Sequence, residues 1–152
     1  MIKPILDACC GSQMFYFDKS NENVITMDNR SFETILCDGR KLVVSPKVIG
    51  DFRSIPFENE TFSGVVFDPP HLIHLGQKSY MGLKYGVLSN TWQEDLKQGF
   101  SECFRVLEVG GFLFFKWNEE QIKLSEILVL TERKPLFGDR RSKTHWVIFR
   151  KE

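Results

Sequence analysis

Four aspartates stand within or at the ends of short apolar runs, where a strand would finish at the edge of a sheet. They are Asp7, Asp28, Asp51 and Asp68. One such aspartate is often only a turn residue. Four in succession favour a common pocket, because open α/β sheets bind ligands beyond the carboxyl ends of their strands. Carboxylate oxygens there can accept hydrogen bonds from the hydroxyl or amino groups of a ligand.

The last of these aspartates opens the sequence Asp68-Pro69-Pro70-His71. Neither proline can donate a hydrogen bond to a neighbouring strand, so the strand must stop here, and two fixed φ angles stiffen the backbone. Residues 69–90 then show no clear periodicity. A segment of that length in a compact domain is usually a lid or a binding loop, so we expect it to cover a ligand.

Two interpretations of the side chains in and beside this segment stay open. They form either a stacking, cationic cover for a flat ligand or simply the aromatic packing of the loop itself. The side chains concerned are Lys78, Tyr80, Lys84, Tyr85 and Trp92. Farther along the chain, Trp117 follows Lys116 in an apolar run and is expected to lie in the core.

Histidines and cysteines do not predict a metal site. Around His71, His74 and His145 there are no cysteine or acidic residues at the spacing that is typical of zinc sites. There is no Cys-x-x-Cys pair among Cys9, Cys10, Cys37 and Cys103. The sequence starts almost at once on predicted structure, and its apolar runs are far shorter than the ~20 residues of a membrane span. We therefore expect a reduced, cytoplasmic protein with free thiols and no membrane partner.

Short apolar runs alternate with longer connections along the chain, which predicts strands joined by helices and loops. The predicted strands are residues 5–9, 23–28, 47–51, 62–68 and 112–117, with residues 127–131 and 144–150 as two closing strands. Between residues 34–37 and 40–44, the dipeptide Asp38-Gly39 predicts a hairpin with a type I′ turn.

One amphipathic helix is predicted after residue 90. Thr91-x-x-Glu94 is a capping-box sequence, and Gly110-Gly111 would end the helix. Apolar residues recur between them at helical spacing, namely Leu96, Phe100, Cys103, Phe104 and Leu107. Residues 119–125 are a candidate for a second, short helix.

Together these elements predict an α/β fold with a mostly parallel sheet and an antiparallel last strand, because buried strands with long connections run parallel and a final hairpin reverses direction. No internal repeat or linker is visible in the 152 residues. We expect one domain, residues 1–152, with residues 34–44 as a hairpin insertion and residues 69–90 as an acceptor lid.

Composition and charge exclude several protein classes. With 42% hydrophobic and 26% charged residues, the chain is neither disordered nor a disulfide scaffold. The formal net charge is zero, so overall charge does not indicate a polyanionic partner. Seven of the 20 basic residues nevertheless lie in residues 133–151, where Asp139 is the single acidic residue. That segment could contact phosphates or form a solvated edge.

The order of these motifs resembles the class I S-adenosylmethionine-dependent methyltransferases, which have a Rossmann-like fold, a three-layer sandwich. The family has Asp-x-Gly-x-Gly-x-Gly after its first strand, where residues 7–13 read Asp-Ala-Cys-Cys-Gly-Ser-Gln. Its acid at the end of the second strand is matched by Asp28, and its Asp-apolar pair after the third by Asp51-Phe52. Residues 105–112 resemble its helix-turn-strand after the fourth strand.

The resemblance implies S-adenosylmethionine as the cofactor and a role for each matched residue. Gly11 would let backbone N–H groups approach the methionine part, and Asp28 would accept both ribose hydroxyls. Asp51 would bind the adenine amino group beside Phe52, which supplies an N–H group and an apolar wall. Asp7 would order the turn or contact the cofactor ammonium through water.

Two of the family's three glycines are replaced here, by Cys9 and Gln13. Cys9 therefore lies in the cofactor loop at a glycine position. For Cys9 and Cys10 we favour the interpretation as small apolar residues over a redox role.

Asp68-Pro69-Pro70-His71 resembles the Asp/Asn-Pro-Pro-aromatic motif of methyltransferases that act on amino groups conjugated to planar systems. Such an amine is a poor nucleophile because its lone pair is delocalised. When Asp68 and the Pro69 carbonyl accept hydrogen bonds from its N–H groups, the lone pair can point at the methyl donor. Pro70 stiffens this backbone, and His71 stands where the family has the aromatic residue that stacks on the base.

The expected function is therefore methylation of an exocyclic amino group of a nucleobase in DNA or RNA. A small molecule or a protein glutamine is an alternative substrate. A different class of function is a non-catalytic subunit that binds the cofactor or RNA beside an active partner. Because no helix is predicted before the first strand, one side of the sheet is thinly covered, and a homodimer or partner interface is a further expectation.

Overall fold

A computed structural model describes residues 2–74 and 80–152 and contains nine strands and three helices in that part of the chain. The strands are β1 (Ile5–Asp7), β2 (Val24–Asp28), β3 (Phe32–Ile35), β4 (Lys41–Val44), β5 (Val48–Ile49), β6 (Phe62–Phe67), β7 (Leu107–Asn118), β8 (Phe137–Arg141) and β9 (Thr144–Arg150). The helices are α1 (Tyr80–Tyr85), α2 (Trp92–Val106) and α3 (Leu124–Leu128).

Seven strands form the main sheet in the order β5-β2-β1-β6-β7-β9-β8, and β3 and β4 pair separately. The first five strands of this order run parallel, whereas β9 is antiparallel to both of its neighbours. The predicted α/β fold with an antiparallel last strand is therefore confirmed. The chain order reverses between β1 and β6, so the carboxyl ends of these two strands form the crevice where open sheets bind ligands.

Helix α2 packs on one face of the sheet through its aromatic residues. Phe100 lies 4.8 Å from Phe115 of β7, and Phe104 lies 5.6 Å from Phe149 of β9, measured between ring centroids. Trp117 is buried in the same core, as predicted, and its indole N–H donates to the Ile122 carbonyl. This layer closes the core beneath the middle of the sheet.

The predicted start of α2 was right, whereas its capping box and its C-terminal end were wrong. Thr91 is the N-cap residue. It makes no side-chain cap, and its hydroxyl donates to the Asp95 carboxylate at 3.1 Å. At the other end the helix stops at Val106, before Gly110-Gly111, because Leu107 has extended backbone and already pairs with Phe62 of β6. Strand pairing, which is a tertiary interaction, ends this helix.

The hairpin around Asp38-Gly39 is present, but its turn is not type I′. A type I′ turn needs positive φ at both central residues, and here Gly39 has φ +85° while Asp38 does not have positive φ. The Gly39 N–H donates to the Leu36 carbonyl, and the Leu36 N–H donates to the Arg40 carbonyl. The loop is therefore one residue longer than a two-residue turn, with glycine at its left-handed position.

The predicted strand at residues 127–131 was also wrong, and the short helix lies later than residues 119–125. Helix α3 occupies this part of the sequence because Leu124, Ile127 and Leu128 follow helical spacing and pack against the core. The second strand that pairs with β9, besides β7, is β8, whose five residues are all exposed at the sheet edge. An exposed edge strand lacks the apolar pattern by which a buried strand is recognised.

The two faces of the sheet are covered differently. Along β7, Leu113 and Phe115 are fully buried, whereas Phe112 on the other face is 38% exposed. No helix lies between β1 and β5, where residues 8–23 form turns and β3 and β4 form the hairpin. Among the described helices, none has the length and apolarity needed to cross a bilayer.

Candidate active site

A cavity of about 350 Å³ opens at the carboxyl ends of β1, β2 and β6. Its wall includes the turn after β1, the residues after β2, Gly50 and Phe52, and Asp68-Pro69-Pro70-His71. Residues of α1 and the segment that follows it complete the wall. The predicted cofactor turn and the predicted acceptor motif therefore face one continuous space.

The turn after β1 depends on Gly11 and Asp28. Gly11 has φ +50°, a conformation that favours glycine, and a Cβ built there would lie 3.7 Å from the Lys84 carbonyl oxygen. The Gly11 N–H donates to Asp28 Oδ2 at 2.9 Å. A carboxylate at the end of β2 thus fixes the backbone of the loop that follows β1.

Cys9 and Cys10 line the cavity beside Gly11. Burial raises the pKa of the Cys9 thiol well above its usual value, and burial raises that of Cys10 to about 12. Both thiols are therefore protonated at neutral pH, and they present small, weakly polar groups. This agrees with the favoured interpretation of these two residues.

Asp7 lies beneath the turn and is not part of the cavity wall. Its carboxyl accepts hydrogen bonds from the Tyr16 hydroxyl at 2.5 Å and from the Cys9 N–H at 3.3 Å. Burial raises the pKa of Asp7 to about 7, although the Tyr16 hydrogen bond partly opposes the shift. In this position Asp7 orders the loop, which is one of the two roles predicted for it.

The side chains of Asp51 and Phe52 lie in different places, and only that of Phe52 reaches the cavity wall. Arg53 pairs with Asp51, with Nη2 to Oδ2 at 2.6 Å, and these hydrogen bonds lower the pKa of Asp51. Asp51 is not among the residues of the cavity wall, whereas Phe52 is. Phe52 is held edge-on to Phe67 at 5.2 Å. The apolar wall predicted from this pair is therefore in place, while the carboxylate is engaged by its own neighbour.

The acceptor motif follows β6 directly. Asp68 lies 3.7 Å from Lys116 Nζ, and its side chain is 23% exposed. Burial raises the pKa of Asp68 to about 6, and the Lys116 charge limits the rise. Asp68 is therefore mostly a carboxylate at neutral pH and can accept hydrogen bonds from an amine.

His71 is the last residue of this motif and lines the cavity as Asp68 does. Its ring is edge-on to Trp117 at 6.2 Å. Burial, aided by the Lys116 charge, lowers the pKa of His71 to about 4. The imidazole is therefore neutral at physiological pH and can offer a flat, uncharged face to a planar acceptor.

Helix α1 and the residues after it lie within the segment predicted to be a lid. Gly82, Leu83, Lys84, Gly86 and Val87 line the cavity. Arg30 connects β2 to this helix, because Nη1 donates to the Leu83 carbonyl at 2.8 Å and Nε to Asp28 at 3.4 Å. Through Gly11 and Arg30, Asp28 is therefore linked to two parts of the cavity wall, the turn after β1 and helix α1.

The aromatic side chains proposed for the lid are only partly described. Lys78 lies outside the described residues, and so do the side chains of Tyr80 and Tyr85. Trp92 packs against the hydrophobic core and is not part of the cavity wall. Lys84 is part of that wall.

Several residues of the cavity wall were not predicted from the sequence, among them Phe15, Arg30 and Lys116. The sequence does contain a signal for Lys116, since it is the one charged residue within the apolar run 112–117. It contains a signal for Arg30 too, because an arginine follows an aspartate by two positions at residues 28, 38 and 51. No sequence pattern marks Phe15, which lies in a loop without periodicity. Among the described residues, no group of three histidine, cysteine or acidic side chains is placed to hold a metal ion.

No protein-family model matches the sequence, and no curated protein matches it. Solved structures do match the fold. The PH0226 protein of Pyrococcus horikoshii is 17% identical with a TM-score of 0.63, and the match covers 100% of this chain and 83% of that one. A TehB-like SAM-dependent methyltransferase of Corynebacterium glutamicum is 18% identical with a TM-score of 0.60, covering 99% and 80%.

A third match is the 1,6-didemethyltoxoflavin-N1-methyltransferase of Burkholderia thailandensis, solved with bound 1,6-didemethyltoxoflavin and S-adenosylhomocysteine. It is 14% identical with a TM-score of 0.57, and the match covers 99% of this chain and 71% of that one. These similarities establish that the chain has the Rossmann-like fold of SAM-dependent methyltransferases.

Proposed function

We propose that this protein is an S-adenosylmethionine-dependent methyltransferase that acts on an exocyclic amino group of a nucleobase. The observation that carries the proposal is the continuous cavity between the Gly11 turn and Asp68-Pro69-Pro70-His71. A methyl donor held at the turn and an acceptor held at the motif would meet in this space. The methyltransferase fold of the chain and the donor analogue bound in one similar structure support the same conclusion.

The residues of the first half of the cavity suit the donor. Gly11 presents backbone to the cavity in a conformation that favours glycine, Asp28 offers carboxylate oxygens to hydroxyl groups, and Phe52 forms an apolar wall. When bound, the donor supplies a methyl group attached to a positively charged sulfur. Asp51 is paired with Arg53, so the adenine contact predicted for it would require that pair to rearrange.

The residues of the second half suit a flat amine. Asp68 and the Pro69 carbonyl can each accept a hydrogen bond from the amine, which fixes the direction of the nitrogen lone pair. Neutral His71 can stack against the ring. After transfer the nitrogen carries one extra proton, and a carboxylate whose pKa is about 6 can accept it.

The proposal is tested with Asp68→Ala and labelled S-adenosylmethionine, with DNA, RNA, protein and small-molecule fractions separated after incubation. We expect wild-type label in a nucleic-acid fraction and a loss of about 100-fold or more in the variant, as for other groups that handle a proton in the transition state. Asp139→Ala, on the exposed strand β8, is the matched control and should keep full activity.

Calorimetry with S-adenosylhomocysteine separates chemistry from binding. Asp68→Ala should bind S-adenosylhomocysteine with nearly wild-type affinity, because the residues proposed to hold the donor are unchanged. Undiminished methylation by this variant contradicts the proposal. Label confined to the small-molecule or protein fraction would change the substrate class, and absence of donor binding at millimolar concentration would favour a non-catalytic binding subunit.

A further inference from the structure

Lys116 comes from the strand next to the acceptor motif. Phe67 of β6 pairs with Phe115 of β7, so Asp68 and Lys116 follow at the same level of the sheet. Their side chains lie on the face opposite α2, and the Lys116 ammonium reaches to 3.7 Å from Asp68 Oδ2. Lys116 also lines the cavity. The pairing of these two strands therefore places a cation beside the proposed acceptor carboxylate.

Aromatic rings hold the Lys116 ammonium in this position. It lies 5.1 Å from the centre of the Phe15 ring and 5.8 Å from that of Trp146. The two rings are themselves edge-on, with centroids 5.4 Å apart. Because the faces of aromatic rings attract cations, the ammonium is restrained by Phe15, Trp146 and Asp68 together. A solvated surface lysine would have no such restraint.

The charges around Asp68 make this cation important. The charge of Asp68 contributes to the raised pKa of Asp7, a second buried carboxyl, and Asp28 lines the same cavity. His71 is neutral at physiological pH and supplies no positive charge. In the described part of the chain, Lys116 makes the one ion pair found with Asp68.

We propose that Lys116 is a positioning residue of the acceptor site, whose ammonium keeps the Asp68 carboxylate charged and aimed into the cavity. The inference rests on the proposed function, since it concerns the carboxylate that receives the amine. Asp68 then presents an acceptor oxygen to the amine N–H over the whole physiological pH range. Lys116 itself takes no part in bond making and acts only through Asp68.

The test measures the titration of the Asp68 carboxyl by carbon NMR in the donor-free protein and compares wild type with Lys116→Met and Lys116→Arg. Loss of the cation should raise the pKa of Asp68 by roughly 1–3 units, the usual effect of a neighbouring opposite charge. Arginine should return the value toward that of wild type. Lys143→Met, which breaks an exposed ion pair with Glu120, is the matched control and should leave the titration unchanged.

The pH dependence of methyl transfer is the second measurement. Because Asp68 must be ionised, the midpoint of the rising limb should move to higher pH in Lys116→Met and back in Lys116→Arg, a pattern that a purely structural role would not produce. If Lys116→Met does not fold, Lys116→Gln replaces it. An unmoved Asp68 titration in a folded neutral variant overturns the inference. A shifted titration in a protein that methylates no fraction supports the ion pair and overturns the proposed function alone.

Discussion

Burial acts on the aspartates of this site in different ways, depending on what each one contacts. Asp7 is fully buried with two hydrogen-bond donors, and its pKa rises to about 7 because those donors offset only part of the desolvation. Asp51 lies nearer the surface, and its pKa falls because Arg53 donates several hydrogen bonds to it. The residue type is the same, so the neighbours and the burial of each aspartate decide whether its pKa lies above or below the usual value.

Replacing Asp7 by asparagine should stabilise the protein, and the gain should grow with pH. The unfolded chain ionises Asp7 near its ordinary value of 3.8, whereas the folded chain holds the proton until about pH 7. Folding is therefore penalised increasingly between these values, and the penalty is constant above them. At about 1.4 kcal/mol for each pKa unit, the gain reaches up to about 4 kcal/mol at pH 8.

Urea unfolding of Asp7→Asn and wild type at pH 4.5 and pH 8 measures this effect. The Asp18→Asn variant is the control, because Ser20 lowers the pKa of that exposed carboxyl, so its effect should not change between these two pH values. An equal stability difference for Asp7→Asn at both pH values would show that Asp7 is ionised in the folded protein throughout.

At the scale of elements, the same hydrogen bond between an aspartate and the arginine two residues later occurs at three turns. At one of these turns the arginine also contacts a distant helix. Asp28, Asp38 and Asp51 each accept a hydrogen bond from the backbone N–H of the arginine two residues later, at 2.8–3.0 Å. Arg40 and its aspartate lie in an exposed hairpin loop. Arg30 instead extends to α1, so the same motif connects the end of β2 to the part of the cavity wall formed by this helix.

Removing this connection in Arg30→Ala should loosen α1 and weaken donor binding. One or two lost hydrogen bonds, at about 0.5–1.5 kcal/mol each, correspond to roughly a 2- to 150-fold increase in the equilibrium constant for local opening. Hydrogen exchange at the Gly86 amide, which donates to the Gly82 carbonyl, reports this directly. Arg40→Ala is the matched control, and equal exchange at Gly86 in both variants would contradict the role of Arg30.

At the scale of the whole molecule, stability comes from one face of the sheet. The large core side chains lie between the sheet and the helices α2 and α3. Exposed apolar residues include Phe112 of β7 and Phe137 of β8, which occupy the other face or the edge. The site lies at the edge shared by both faces, where His71 contacts the core and Lys116 contacts the loop side.

Two phenylalanine truncations on neighbouring strands should therefore differ greatly. Phe149 is fully buried against Phe100 and Phe104, while Phe137 is 66% exposed. Phe149→Ala should cost about 3–5 kcal/mol in the free energy of unfolding, and Phe137→Ala should change it by about 0.5 kcal/mol or less. Denaturant unfolding of both variants checks this, and comparable losses would show that the β8 side is covered in solution.

Several elements could be predicted from the sequence because their local pattern and their environment agree. Strand β2 was predicted within one residue, and α2 was predicted as a helix, since apolar periodicity follows burial on one face. Strand β8 could not be predicted, because all its residues are exposed and only pairing with β9 makes it a strand. The end of α2 was missed for a related reason, since Leu107 leaves the helix to pair with Phe62.

The sequence by itself determined the α/β class and placed an aspartate at or just after the end of four strands of the main sheet, because strand ends and proline stops are local features. Only the tertiary structure decided what each aspartate does. Asp7 is buried beneath the loop after β1, and Asp51 accepts hydrogen bonds from Arg53. Asp28 and Asp68 line the cavity. Residues distant in sequence, such as Lys116 beside Asp68, meet through strand register, and the charge state of a buried carboxylate depends on those neighbours.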